Sequence, residues 1–175
     1  GWTAAVADPF SSSQTLPSGT SPRRVVVADF DQNGAPDFAV ACAHVDDSGG
    51  SSSGSITLHW GLDQLIAAGA GWESAVDLEM AGPVPGLVTG DFNADSILDL
   101  AAIVWNDNMG ADAELYLLLG LGSHGQPSGA FSAPMLIGPA GAGALDLAAA
   151  DFNADGILDL VTANPSAQSL SLYQG

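Results

Sequence analysis

Three ten-residue stretches of the chain place oxygen-bearing side chains at matching positions: Asp29-Phe-Asp-Gln-Asn-Gly-Ala-Pro-Asp-Phe38, Asp91-Phe-Asn-Ala-Asp-Ser-Ile-Leu-Asp-Leu100 and Asp151-Phe-Asn-Ala-Asp-Gly-Ile-Leu-Asp-Leu160. Their first acids lie 62 and then 60 residues apart, the mark of an internal repeat. Positions one, three, five and nine of every copy carry a carboxylate or a carboxamide. Calcium takes six to eight oxygens at roughly 2.3–2.6 Å, and alternate residues of a coiled loop can turn their oxygens inward to supply them. The spacing therefore predicts one Ca²⁺ per loop. The first would use Asp29, Asp31, Asn33 and Asp37 with the carbonyl of Ala35, and the second Asp91, Asn93, Asp95 and Asp99 with that of Ile97. The third would use Asp151, Asn153, Asp155 and Asp159 with that of Ile157. Magnesium prefers a smaller, more rigid octahedron and keeps its waters. Zinc fits less well still, because no Cys or His lies in any of the three loops. The ion-free alternative is a set of Asx turns closed by side-chain to backbone hydrogen bonds. Three in register, each converging several like charges, favour a cation between them.

The flanks decide what kind of loop this is. An EF-hand opens similarly but closes on a Glu at position twelve and sits between helices. That position here holds Val40, Ala102 and Thr162, and the flanking runs, such as Arg24-Val-Val-Val-Ala28 and Leu98-Asp-Leu-Ala-Ala-Ile-Val-Trp105, read as buried strands. An apolar run, then Asp-Phe-Asn-x-Asp-Gly-x-x-Asp-Leu, then a second apolar run and a later Gly followed by alternating Leu/Tyr resembles the FG-GAP or VCBS repeats of integrin-α-type β-propellers, over nearly the whole chain. The resemblance implies an all-β fold in which each repeat is a four-stranded antiparallel blade, with calcium in the loop between its first two strands. Asn33, Pro36 and Ser96 depart from the family pattern, so the third site is expected to bind most tightly.

On this plan residues 1–22 are an amino-terminal strand and a Ser/Pro-rich loop, 23–85 the first blade, 86–143 the second and 144–175 an incomplete third. The first blade is expected to use Arg24–Ala28, Asp37–Ala43, Gly54–Trp60 and Ala75–Met80, with an exposed tip at 45–55 and a short helical turn at 62–69. The second would use Gly86–Gly90, Asp99–Trp105, Ala113–Leu119 and Phe131–Ile137, and the third Ala144–Ala150, Asp159–Ala163 and Ser169–Tyr173. Residues 1–10 resemble 71–80, which stand where a fourth strand belongs, so the third blade is expected to be completed by the N-terminal strand of the same or a neighbouring chain. Closed propellers have about four to eight blades. Self-association follows, either as a six-bladed ring of two chains or as an open filament. The remaining possibility is that the chain is part of a longer protein.

Twenty acids against two Arg give a net charge of −18, and nine of those acids lie in the loops. Such a chain repels nucleic acid. No twenty-residue apolar span suggests membrane insertion. The single Cys42 lies in an apolar run and reads as a small buried hydrophobe. A start at Gly1 suits removal of a signal peptide, and extracellular calcium would fill loops of this kind, so a secreted or cell-surface location is expected. Gly50-Ser-Ser-Ser-Gly54 lacks the strand-to-helix turn of a nucleophile elbow, and Gly120-Leu-Gly-Ser-His-Gly125 lacks the helix that would bind a pyrophosphate. His44, His59 and His124 fall at unrelated positions of the repeat, and no acid/base pair stands apart from the loops, so no enzyme is expected. The leading expectation is a calcium-binding adhesion or structural module that assembles with itself and meets cell-surface proteins or glycans. A carbohydrate-binding propeller lectin, stacking sugars on Trp2, Trp60, Trp72 or Trp105, is the first alternative, and an accessory domain of a secreted enzyme the second.

Overall fold

A computed structural model describes residues 15–44, 53–61, 76–106 and 113–175. Within them the chain is built from antiparallel β-strands, with one 3₁₀ turn at Pro165–Ala167. β1 (Pro22–Ala28), β2 (Asp37–His44), β3 (Ser53–His59) and β4 (Val76–Met80) form a four-stranded meander. The second sheet repeats the plan with β5 (Gly86–Gly90), β6 (Asp99–Trp105) and β7 (Ala113–Leu118). A separate hairpin, β8 (Gly120–Ser123) and β9 (Gln126–Phe131), comes before the fourth strand, β10 (Met135–Pro139). The third sheet holds β11 (Asp146–Ala150), β12 (Asp159–Asn164) and β13 (Ser169–Tyr173) among the described residues. None of the four sheets closes on itself.

The three acidic stretches connect the first and second strands of each sheet in one register. Ala28 pairs with Asp37, Gly90 with Asp99 and Ala150 with Asp159, so every loop leaves and re-enters the sheet at the same rung. Period-two alternation sorts the faces. Ala39, Ala41, Ile56 and Leu58 of the first sheet pack on Leu87, Leu100, Ala102, Val104 and Leu118 of the second. The other face of the second sheet, with Ala101, Ile103 and Leu115, packs on Leu147 and Leu160 of the third. Burial on both faces is why Leu100-Ala-Ala-Ile-Val104 reads as an unbroken apolar run rather than an alternating one.

One expected strand is placed differently. Phe131 belongs to β9, and the fourth strand of the second sheet begins at Met135 rather than at Phe131. The cause is a tight turn: His124 and Gly125 have φ of 55° and 72°, the two left-handed residues that a two-residue hairpin needs. The Gly-rich segment 120–125 is thus neither a nucleotide loop nor simple connection but one strand and turn of a hairpin that reaches back over the first repeat. There Phe131 meets Phe30 edge-on, with ring centroids 5.8 Å apart. Replacing Phe131 by Leu keeps most of the buried area and loses the ring pairing. A stability loss of about 1 kcal/mol is expected in urea titrations, with unchanged m-value.

The expected strand at residues 1–10, the helical turn at 62–69, most of the tip at 45–55, and Trp2 and Trp72 lie outside the described residues. Trp60 is buried in the first core, and Trp105 donates its indole N–H to the carbonyl of Ala144 at 2.8 Å, so both do packing work. Cys42 is buried and free, its thiol pushed up by that burial.

Candidate metal-binding loops

Each loop is coiled by two left-handed residues, at its fourth and sixth positions. These are Gln32 and Gly34, Ala94 and Ser96, and Ala154 and Gly156, with φ between 55° and 91°. The turn they impose brings the odd-numbered side chains to one side, where the backbone N–H groups of the loop hold them. In the first loop the Asp29 carboxylate accepts from the N–H of Asn33 (3.0 Å) and of Gly34 (2.9 Å). Asp91 accepts from Asp95 (3.1 Å) and Ser96 (2.8 Å), and Asp151 from Asp155 (3.1 Å) and Gly156 (2.9 Å). The third and fifth side chains are joined by an amide-to-carboxylate bond in every copy: Asn33 to Asp31 (3.0 Å), Asn93 to Asp95 (3.0 Å) and Asn153 to Asp155 (2.8 Å). The fifth side chain also accepts from the N–H of the seventh residue, Ala35, Ile97 or Ile157. Three sequences that differ at several positions therefore fold into one hydrogen-bond pattern.

Ser96 takes φ 69° where the other two loops have glycine. A Cβ in that region costs about 1–2 kcal/mol. Ser96→Gly is expected to raise stability by about 1 kcal/mol after the entropy of the unfolded chain is counted, read as a higher urea midpoint.

The ninth acid of each loop does more than close the cluster. Asp37, Asp99 and Asp159 are buried, and both oxygens of each carboxylate accept a backbone N–H. One donor is the second residue of the loop: Phe30 (2.8 Å), Phe92 (2.9 Å) or Phe152 (2.9 Å). The other is a glycine just past the third strand: Gly61 (2.7 Å), Gly120 (2.8 Å) or Gly175 (2.9 Å). These glycines leave no room for a side chain. A Cβ would lie 2.3 Å from the carbonyl oxygen of Pro36, 2.4 Å from that of Leu98 and 2.5 Å from that of Leu158, respectively. The motif's spacing assigns the ninth acid to the loop alone. The structure gives it a second task, tying the loop to the far end of the third strand, and the repeated closing glycine was the available signal.

Asp29, Asp31 and Asp37 each bring one carboxylate oxygen within 4.8 Å of the others, the one such group of three acids among the described residues. The second and third loops also carry three acids each, but with the amide at the third position (Asn93, Asn153) and the carboxylate at the fifth (Asp95, Asp155), the reverse of the first loop. Burial pushes the carboxyls of Asp31, Asp37 and Asp99 above the ordinary aspartate range, and neighbouring acids add to the effect. Backbone N–H groups, from Gly61 and Phe30 for Asp37 and from Gly120 and Phe92 for Asp99, pull the other way without cancelling it. The donor set is oxygen throughout, each carboxylate oxygen keeps a lone pair beyond its hydrogen bond, and the set carries excess negative charge. Those properties suit a hard divalent cation.

The loops also touch one another. The Gln32 amide donates to the carbonyl of Ser96 at 3.0 Å, and Gly129 of β9 packs near Asp31 and Trp60. Neither contact could be foreseen from spacing, because each joins residues of different repeats.

Residues 91–162 match the family model of the FG-GAP-like repeat, a span that begins at the first acid of the second loop and ends within β12. A search of curated proteins returned no match to the chain.

Proposed function

We propose that the chain, whose residues 91–162 match the FG-GAP-like repeat, is a calcium-binding, non-enzymatic extracellular module with an adhesive or structural role, its sheets acting as propeller-type blades. The observation that carries this reading is the shared hydrogen-bond pattern of the three loops, which holds the same oxygens in the same places despite sequence changes between them. Asp29, Asp31, Asn33 and Asp37 would hold the first ion with the carbonyl of Ala35. The corresponding residues of the 91–99 and 151–159 loops would hold the others. Bound Ca²⁺ would offset the repulsion among carboxylates and so couple ion binding to folding. Three such ions would reduce the formal charge from −18 to −12. Millimolar extracellular calcium would keep loops of this type filled.

Isothermal titration of the chelator-treated chain with CaCl₂ tests the proposal. Three ions per chain are expected, falling to two in Asp151→Ala, and no saturable heat would refute it. The lectin alternative has less behind it, since Trp60 and Trp105 are committed to packing. A glycan array with no saccharide preference is the expected result.

A further inference from the structure

The internal junctions between sheets show what each face is made to meet. Ile56 of the first sheet and Leu115 of the second occupy one repeat position and are 0 % exposed, because the next sheet covers them. Leu170 of the third sheet occupies that same position and is 72 % exposed. Leu172 beside it is 55 % exposed, where its first-sheet counterpart Leu58 is 1 % exposed. The reverse holds at the other end of the chain. Leu87 and Leu147, at 0 and 4 % exposed, are covered by the sheet before them, whereas Val25 at the matching position is 56 % exposed and Val27 63 %. The molecule therefore displays one half of the junction on its third sheet and, on its first, only the β1 part of the other half, since Val40, Cys42, Thr57 and His59 of the same face are already buried.

We infer that two copies of this chain associate head to tail, the Leu170/Leu172 face of one third sheet covering the Val25/Val27 strand of the partner's first sheet. The inference deepens the repeat-module reading and rests on it. A second copy is the occupant that continues the existing interface: it supplies β-branched residues at the position where Leu87 and Leu147 sit in the internal junctions. The curvature favours closure over a filament. β1 and β11 both lie beside β5, and Arg24 of β1 reaches Asp146 of β11 at 3.1 Å, so the first strands gather round a common centre. A two-fold pair then satisfies both junctions at once and gives six sheets in a ring, within the range of closed propellers. The outer half of the first-sheet face is already occupied, since Gly19 lies against Cys42 and Ser55, which confines the contact to β1 and the strands opposite it.

Sedimentation velocity of the 175-residue chain in calcium, from micromolar concentrations upward, is expected to show a species of twice the 17.5 kDa chain mass. Leu170→Asp and Val25→Asp should each halve that mass while leaving the circular dichroism spectrum in calcium unchanged, and Leu172→Asp provides a second variant should Leu170→Asp fold poorly. Mixing Leu170→Asp with Val25→Asp leaves one intact junction and should restore the pair in equal proportion. A monomer at all concentrations in calcium overturns the inference, as does a pair that Val25→Asp leaves intact, which would mean that third sheets meet each other. A calcium-stabilised monomer refutes this association alone, and a pair whose mass and melt ignore chelator refutes the metal reading alone.

Discussion

Excess EGTA at neutral pH is expected to lower the melting temperature by about 15 °C relative to the chain in millimolar calcium. A ligand at about 100 times its dissociation constant stabilises by about 2.7 kcal/mol per site, and each kcal/mol moves the midpoint of a domain this size by about 2–4 °C. Three sites acting in full would give about 8 kcal/mol, and partial occupancy of the weaker ones brings the figure down. The physical source is the raised carboxyls of Asp31, Asp37 and Asp99, which show that burial and neighbouring acids penalise the ionised form by more than their hydrogen bonds return. A cation removes that deficit. Magnesium at equal concentration should restore only a small part of the loss, because the coiled loop presents a flexible set of more than four oxygens. A melt that ignores both chelator and calcium would mean that the loops are ion-free Asx turns.

Asp99→Ala is expected to cost about 3–4 kcal/mol in chelator, and more in calcium, where a metal ligand is lost as well. Truncation leaves the N–H groups of Phe92 and Gly120 without their acceptor in a buried setting, at about 1–3 kcal/mol each. Asp99→Asn should recover little, since its amide can offer an oxygen to one N–H and must turn its own donor toward the other. Asp91→Ala makes the useful contrast: its carboxylate is held by N–H groups on the exposed rim of the loop, so most of its loss should vanish in chelator. Urea titrations of both variants with and without EGTA separate the two roles. If Asp99→Ala matched the wild type in chelator, its carboxylate would be a metal ligand and nothing more. Gly120→Ala probes the same tie from the other side, because its Cβ would collide with the Leu98 carbonyl. About 1–3 kcal/mol is the expected cost.

The periodicity of Asp, Asn and Gly within each stretch was sufficient to place the loops between two strands, because a turn of nine residues is governed by local backbone preferences and by side chains that reach only a few positions. Apolar runs of Val, Ala and Leu likewise marked β2, β6 and β12, and the repeat distance placed three sheets in a row. Where partners lie far apart in the chain, that legibility ends. Asp37, Asp99 and Asp159 bond to glycines 24, 21 and 16 residues away, and no fixed spacing announces such a tie. The β8–β9 hairpin carries little strand signal because its strands are short and rich in glycine, and its purpose, covering Phe30 with Phe131, exists only once two repeats are side by side.

The sequence by itself determined the three acidic turns, their oxygen-bearing side chains and the strands that carry them, since all of these follow from short-range geometry repeated along the chain. Tertiary structure alone decided which equivalent residues are buried and which are open. Leu115 and Leu170 are the same amino acid at the same repeat position, and only the presence of a neighbouring sheet over one and not the other separates a core residue from an exposed one.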